Sequence, residues 1–483
     1  MGRQGSPGLR LLTLSVFILV ALAGCRGAAR DDADPGKRFT STDEARVRTL
    51  GLYSSGAKVG TYRYSRGSGL WDGRHKVFDL DESIELRLSF RGDVFTIRTR
   101  QRSYVGEGLL LLGSVSEVDF GPGSWTTTWV RTGEGRYEKT ERMGKSIAEK
   151  EVKVPPGFLT TDVLFPYMEQ MQKEGRKEFK ADMFNLTLGQ TLPVKVVYGG
   201  EKGGIRRFSV TFWGMEEEVS MDGEGMVVGE TMPWGVSAAP LSDSDRIGSL
   251  SMESLFTRTG VPAANVPGDL AARGTAVFYL NGSVSMPPST AWQSVSREDG
   301  RLTARLTRPV VPAKGSRSVD PRMSRDDFPG LDLDSKRIRE LAAKITSGMN
   351  DPWEKARAVG AWVFGNLGNT MRESFSALEV LDAGEGECQS HSILAVSLIR
   401  AAGVPARFAC GVVYMPDRGL FLFHTWVEVY TGQWVPIDPT LGAFPAGVDH
   451  LTLVEGGYTD QFRVFPYIMG QGGWSVTFVA GQK

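Results

Sequence analysis

Several things are scarce in this chain, and each scarcity excludes something. The 483 residues hold three cysteines, Cys25, Cys388 and Cys410. Charge of neither sign is in surplus, because Lys+Arg and Asp+Glu are both 56. With no basic excess to neutralise phosphates, a nucleic-acid partner has no support. Long apolar runs are absent apart from Leu11–Ala23, which is shorter than the ~20 residues a membrane-spanning helix needs. No internal repeat is visible. What is plentiful is glycine, at 59 residues, and aromatics, at 10%. That balance favours sheets and turns over a helical bundle. At roughly 100–200 residues per domain, the length predicts two or three domains.

The first residues read as an address. Arg3 and Arg10 precede the apolar run, which has the length of a signal-peptide core. It ends in Leu22-Ala23-Gly24-Cys25, which resembles a bacterial lipobox. The resemblance implies a signal peptide over 1–24, lipidation of Cys25 and a body tethered by lipid. It implies a bacterial cell-envelope location, with outer membrane or periplasmic face expected in a Gram-negative cell. Residues 25–45 follow as a polar, flexible linker. With Cys25 assigned, a Cys388–Cys410 disulfide is the one internal pairing left to weigh.

From about Arg46 the apolar residues recur every second position. Ile84, Leu86, Leu88 and Phe90 alternate with Glu85, Arg87, Ser89 and Arg91. Beyond Gly92-Asp93 the pattern resumes with Phe95 and Ile97, so a β-hairpin with one buried face is expected. A helix is predicted near Thr161–Lys173. Residues 46–250 therefore read as a mainly antiparallel β domain, a curved sheet or open barrel. Residues 251–329 read as a β segment and linker, with the main boundary at Pro309–Pro329.

After Gly330 the period changes. Ser335–Ser347 is an amphipathic helix pattern, and Asp351-Pro352 starts a second helix with proline at its first position. A third helix should run from Cys388 to about Ala402, closed by Gly403. Three strands follow, Arg407–Tyr414, Phe423–Tyr430 and Gln433–Ile437. Helices followed by strands indicate an α+β domain over 330–456, with a C-terminal strand segment in 457–483.

Three residues in this region carry the chemistry. Gly384-Glu385-Gly386-Glu387 leads into Cys388 at a helix head, where free backbone N–H groups favour an anion. A thiol there is expected to have a lowered pKa, and the Cys388 backbone amide can hold an oxyanion. A thiol nucleophile needs a base and a group that orients the base. His424 and Asp438 lie on strands joined by the Thr431-Gly432 turn, which can bring them side by side.

Gly386-Glu387-Cys388, Leu398-Ile399-Arg400-Ala401-Ala402-Gly403-Val404-Pro405-Ala406-Arg407, His424-Thr425-Trp426-Val427-Glu428-Val429 and Trp434-Val435-Pro436-Ile437-Asp438-Pro439-Thr440, in that order, resemble the transglutaminase-like superfamily. The resemblance covers about Gly330 to Gly456. It implies a papain-like core, Cys388 as nucleophile, His424 as base and acid, Asp438 as orienter, a thioester intermediate and no cofactor. It leaves hydrolysis and crosslinking open. In crosslinking relatives a tryptophan can complete the oxyanion hole, and Trp362 is one candidate here. The implied partner is a protein or peptide substrate in the envelope.

Plainer roles compete for other residues. Cys410, in an apolar run, reads as a buried free thiol. His391 shares a helix face with Cys388, but no second Cys/His pair accompanies it, so no metal site is expected. His75 and His450 read as surface residues, Glu428 and Asp449 as solvated charges. Glu385 and Glu387 read as turn charges without a role, and Trp426 and Trp434 as core. Two further functions stand beside the enzyme: a non-catalytic binding module, and a lipid or lipoprotein carrier that would need a concave apolar surface in residues 46–250.

Overall fold

Glycine-bounded strands with one apolar face build the N-terminal half. The computed structural model describes residues 34–481 except 91, 120–123, 144–145, 155–157, 187–189, 213–214, 233–234, 253–258, 283, 313–327, 372–373, 465–466 and 469–472. Cys25 and the lipobox lie outside the described residues. Among the described residues no helix is long and apolar enough to cross a membrane. The chain divides into two units, 1–255 and 256–483.

In the first unit, strands β1 (Arg46–Ser54), β2 (Ala57–Trp71), β3 (His75–Phe90), β4 (Asp93–Val105), β5 (Leu111–Asp119), β6 (Ser124–Gly133), β7 (Arg136–Met143) and β8 (Ser146–Lys153) form an antiparallel meander. Helix α1 (Leu164–Lys173) leads to a second meander, β9 (Glu178–Asn185), β10 (Gln190–Lys202), β11 (Ile205–Phe212), β12 (Met215–Met221), β13 (Val227–Met232) and β14 (Val236–Pro240). Pairing of β14 with β1 joins the two into one curled sheet. The predicted hairpin is there, with Glu85 opposite Arg98 and Leu86 opposite Ile97. Its alternation places Ile84, Leu86, Leu88 and Ile97 in the core, with Tyr62 of β2 beside them opposite Ile84.

The linker expectation is corrected from residue 34 onward. Phe39–Ser41 pairs with Gly69–Trp71 of β2, and Phe39 packs on the buried Trp71–Tyr104 cluster. Apolar anchoring thus begins before the alternation does. A groove of about 780 Å³ on this sheet is lined by Thr49, Arg63, Arg98, Arg100, Glu117 and Arg142 among others. Ile84, Tyr104, Val115 and Val118 share the lining, so the groove is of mixed polar and apolar character.

The second unit holds β15 (Val261–Ala264), β16 (Thr275–Gly282), β17 (Gln293–Glu298), β18 (Arg301–Thr307), α2 (Lys336–Ile345), α3 (Pro352–Asn366), α4 (Ala377–Ala383), α5 (Cys388–Ala401), β19 (Ala406–Met415), β20 (Leu420–Tyr430), β21 (Trp434–Ile437), β22 (His450–Gly456) and β23 (Trp474–Ala480). Sheet order is β17-β18-β16-β23-β15-β20-β19-β22, with β21 also on β20. This is the α+β region. The boundary expected at Pro309–Pro329 is corrected, and most of that linker lies outside the described residues. Strand β16 pairs with β23, and β15 pairs with both β23 and β20. Strands β15 to β18 therefore belong to the C-terminal sheet, since backbone pairing and the shared core of Phe278, Leu280, Phe421, Val412 and Val476 hold them there.

Local signals account for the helices. The Asp351 side chain caps α3 by accepting from Trp353 N and Glu354 N, with Pro352 at the first helical position. Gly403, at φ 79°, follows α5. Eleven of the fourteen residues of α5 are buried, so this is the central helix, packed on α2, α3, α4 and β20.

Candidate functional site

Cys388 opens α5, half-buried. Glu387 caps the helix, its Oε1 accepting from Ser390 N at 2.9 Å. Its Oε2 takes a hydrogen bond from the Cys388 thiol at 3.0 Å. This corrects the expectation of a lowered thiol pKa and of a role-free Glu387. Burial pushes the thiol well up and the adjoining carboxylate adds to it, while the Thr425 backbone N–H, in reach of the sulfur, works the other way. Desolvation and a full negative charge outweigh the partial charge of a helix terminus. Cys388 and Cys410 are both free, and burial pushes Cys410 up to about 12.

The base and its partner come from the sheet. Strand β19 lies between β20 and β22, with Gly411 opposite His424 on one side and Val413 opposite His450 on the other. Directly opposed residues share a sheet face, so His424 and His450 project from the same side. Val427 faces Ile437 across β20 and β21, and the next residue, Asp438, reaches that same side. His424 Nε2 meets Asp438 Oδ2 at 2.8 Å. The bond leaves Nδ1 of His424 free of the carboxylate. Side-chain exposure is 6% for His424 and 0% for Asp438.

Asp438 is a hub. Its Oδ1 accepts from Thr440 N at 2.7 Å and Leu441 N at 2.9 Å. Its Oδ2 accepts from His450 Nε2 at 3.0 Å as well as from His424. His450 Nδ1 in turn meets Asp449 Oδ1 at 3.1 Å. Burial alone would raise the Asp438 carboxyl, but His424 and His450 outweigh it and hold it well below the carboxylate range. Burial opposes charge on His450 too, yet Asp449 and Asp438 raise its pKa to about 10. His424, Asp438 and His450 are the one group of candidate ligand atoms within 4.8 Å of one another among the described residues. Both Nε2 atoms contact Asp438 Oδ2 at N–H···O distances, the geometry of a hydrogen-bonded cluster.

Helix α5 brings Cys388 against the strand of His424. Ser392 Oγ donates to Thr425 O at 3.3 Å, and the thiol meets the amide of that same Thr425. His391, 1% exposed, contacts its own Glu387 carbonyl at 2.9 Å through Nδ1, and burial lowers its pKa. Trp426 is fully buried, its ring 6.2 Å from that of His424 and 5.1 Å from that of His450. It is core, as expected. Trp434 is half-buried under the Arg407 guanidinium at 4.0 Å, and Trp362 is half-buried on α3.

Three charge readings need correction. His450 is 1% exposed, whereas His75 is exposed as expected. Asp449 is largely buried and bonded to His450. Glu428 is fully buried, accepting from Arg407 Nε at 2.8 Å and Trp292 Nε1 at 3.4 Å. Each looked solvated because its sequence neighbours are turn residues or because it alternates with apolar ones. One signal did point to His450: the chain has four histidines, and three of them fall within residues 391–450.

Residues 339–439 match the family model of the transglutaminase-like superfamily. An uncharacterized protein of Bacillus subtilis is 25% identical over 194 residues, which is 34% of this chain and 26% of that protein. One of Mycobacterium leprae is 27% identical over 115 residues, 22% of this chain and 40% of that protein. The chain thus spans less than half the length of either relative. Similar solved structures include a candidate cysteine protease from Cytophaga hutchinsonii, 18% identical over 44% of this chain and 84% of that one at TM-score 0.29. A β-barrel-like protein of a domain of unknown function from Brucella abortus is 11% identical over 40% and 92%, at TM-score 0.30. At such scores neither likeness bears on activity.

Proposed function

We propose that this chain, which carries a transglutaminase-like superfamily domain over residues 339–439, is a thiol enzyme that cleaves or transfers the acyl group of protein or peptide amides. Cys388 is the nucleophile, His424 the base and then the acid, and Asp438 the group that orients His424. One observation carries the reading: His424 Nε2 is held on Asp438 Oδ2 at 2.8 Å beside the helix head that bears Cys388. With Nε2 on the carboxylate, Nδ1 is the nitrogen that serves the thiol in this reading.

The resting thiol is protonated, because burial and Glu387 raise it. The thiol proton therefore moves to His424 Nδ1 as sulfur bonds to the amide carbonyl carbon. The Cys388 backbone N–H donates to the oxyanion that forms. The C–N bond then breaks, and the departing amine takes the proton from His424. Water completes hydrolysis of the thioester, or a second amine completes transfer. Asp438, acceptor of four hydrogen bonds, fixes the imidazole tautomer and stabilises its cation without itself taking a proton. The lipobox-like Leu22-Ala23-Gly24-Cys25 supports a lipid anchor, so the substrates in this reading are envelope proteins or peptides.

The test is the rate of Cys388 alkylation by iodoacetamide against pH, in the wild type and in His424→Ala. The expected result is a profile that differs from an ordinary thiol of pKa about 8.5 and that collapses in the variant. An identical profile in both proteins overturns the reading and favours a binding module. Labelling with a fatty-acid probe, lost in Cys25→Ser, tests the anchor.

A further inference from the structure

His450 has both ring nitrogens on carboxylates, Nε2 on Asp438 at 3.0 Å and Nδ1 on Asp449 at 3.1 Å. A neutral imidazole carries one N–H, so it can satisfy only one of the two acceptors. Donating to both requires the cation. The ring is 1% exposed, and Trp426 packs against it edge to face at 5.1 Å. A solvated surface histidine needs none of this. The Oδ2 that His450 contacts is the same oxygen that holds His424.

We propose that His450 is a positioning residue of this site, an imidazolium clamped between Asp438 and Asp449 that fixes the Asp438 carboxylate on His424 and weakens its hold on the His424 proton. The inference rests on the Cys388–His424–Asp438 reading and extends it. With Asp438 alone, a protonated His424 would face a full carboxylate charge and give up its proton to a departing amine reluctantly. With His450 in place, Asp438 shares its charge between two cations. Asp449 then restores neutrality, since two imidazolium and two carboxylate charges cancel. The pKa of His450, raised to about 10, is consistent with a fixed cation at neutral pH. The other titratable groups around the pair are His391 and Cys388 on α5, Glu387 before it and Cys410 on β19. Of these, Glu387 lies beside the thiol, its Oε2 accepting from Cys388 Sγ at 3.0 Å.

Two substitutions in the full chain test this by sign. The midpoint of Cys388 alkylation belongs to the Cys388–His424 pair as a unit. His450→Gln removes a positive charge, so protons leave the pair less readily and the midpoint moves up by roughly half a unit to one unit. Asp449→Asn removes a negative charge, so the midpoint moves down by a similar amount. A purely structural role predicts slower labelling in both variants with midpoints unmoved or moved the same way, and that result overturns the proposal. If His450→Gln does not fold, histidine-selective nitrogen labelling of the wild type replaces it. Both His450 ring nitrogens protonated at pH 8.5 support the proposal, and a neutral ring at that pH overturns it. A profile insensitive to His424→Ala is a separate failure, that of the enzyme reading itself.

Discussion

Two charge clusters, one in each unit, are built in opposite ways. On the first, Asp81 pairs with Arg100 at 2.7 Å, Asp79 with Arg102 at 2.7 Å and Glu85 with Arg98 at 2.8 Å, in cross-strand steps along β3 and β4. The arginine side chains are 32–57% exposed. On the second, Asp438, His424 and His450 are buried together, and so are Glu428 and much of Arg407. Exposed pairs contribute little, while a buried charge stripped of its partner is costly. Charge at these strand-face arginines can vary with small consequence, whereas charge at Asp438 is fixed by what surrounds it; the first unit holds buried charge elsewhere, in the Lys139–Glu141 pair at 2.7 Å.

The largest expected contrast is therefore Asp438→Asn. It leaves two buried imidazoles without their anion and should lower the stability of the second unit by about 3–5 kcal/mol, read from urea denaturation. A loss no greater than that of an exposed pair breaks the comparison. Backbone crowding comes next. A Cβ at Gly411 would lie 2.1 Å from Leu451 O, and one at Gly60 would lie 2.1 Å from Glu85 O. Both alanine variants should lose about 2 kcal/mol or more in denaturation, but only Gly411→Ala, opposite His424, should also slow Cys388 alkylation.

A pH series sharpens the contrast further. The folded pKa of His450, about 10, stands above its ordinary 6.5. Its stabilising contribution is then complete below about pH 6.5 and is lost as pH rises through about 10. Denaturation of the wild type should fall more steeply than that of His450→Gln across this window. Parallel curves would remove the cation. Glu387→Gln keeps an oxygen for the helix cap and removes the charge beside the thiol, so alkylation at pH 7 should rise several-fold, about tenfold at most. Unchanged alkylation would mean the Glu387 contact is not made in solution. Arg98→Ala, on the exposed Glu85 pair, should change stability by less than about 1 kcal/mol.

Much of the site was legible because its signals are local or ordered along the chain. Asp351-Pro352 and Gly403 mark helix ends through hydrogen bonds within a few residues. Cys388, His424 and Asp438 stood out by residue type, order and turn. His450 did not, because Gly447 and Asp449 make its surroundings read as a turn. Its place beside Asp438 comes from the β19–β22 register. Strands β15 to β18 were misassigned for the same cause, since β16 pairs with β23 across nearly the whole second unit.

The sequence alone determined the strand alternation, the helix ends and the three residues proposed for acyl transfer, because period, caps and reactive side chains act over a few neighbours. Tertiary structure decided that burial and Glu387 push the Cys388 thiol up, that Asp438 serves two histidines, and which strands share a sheet. Those outcomes depend on desolvation and on cross-strand register, and both are set by residues far apart in the chain.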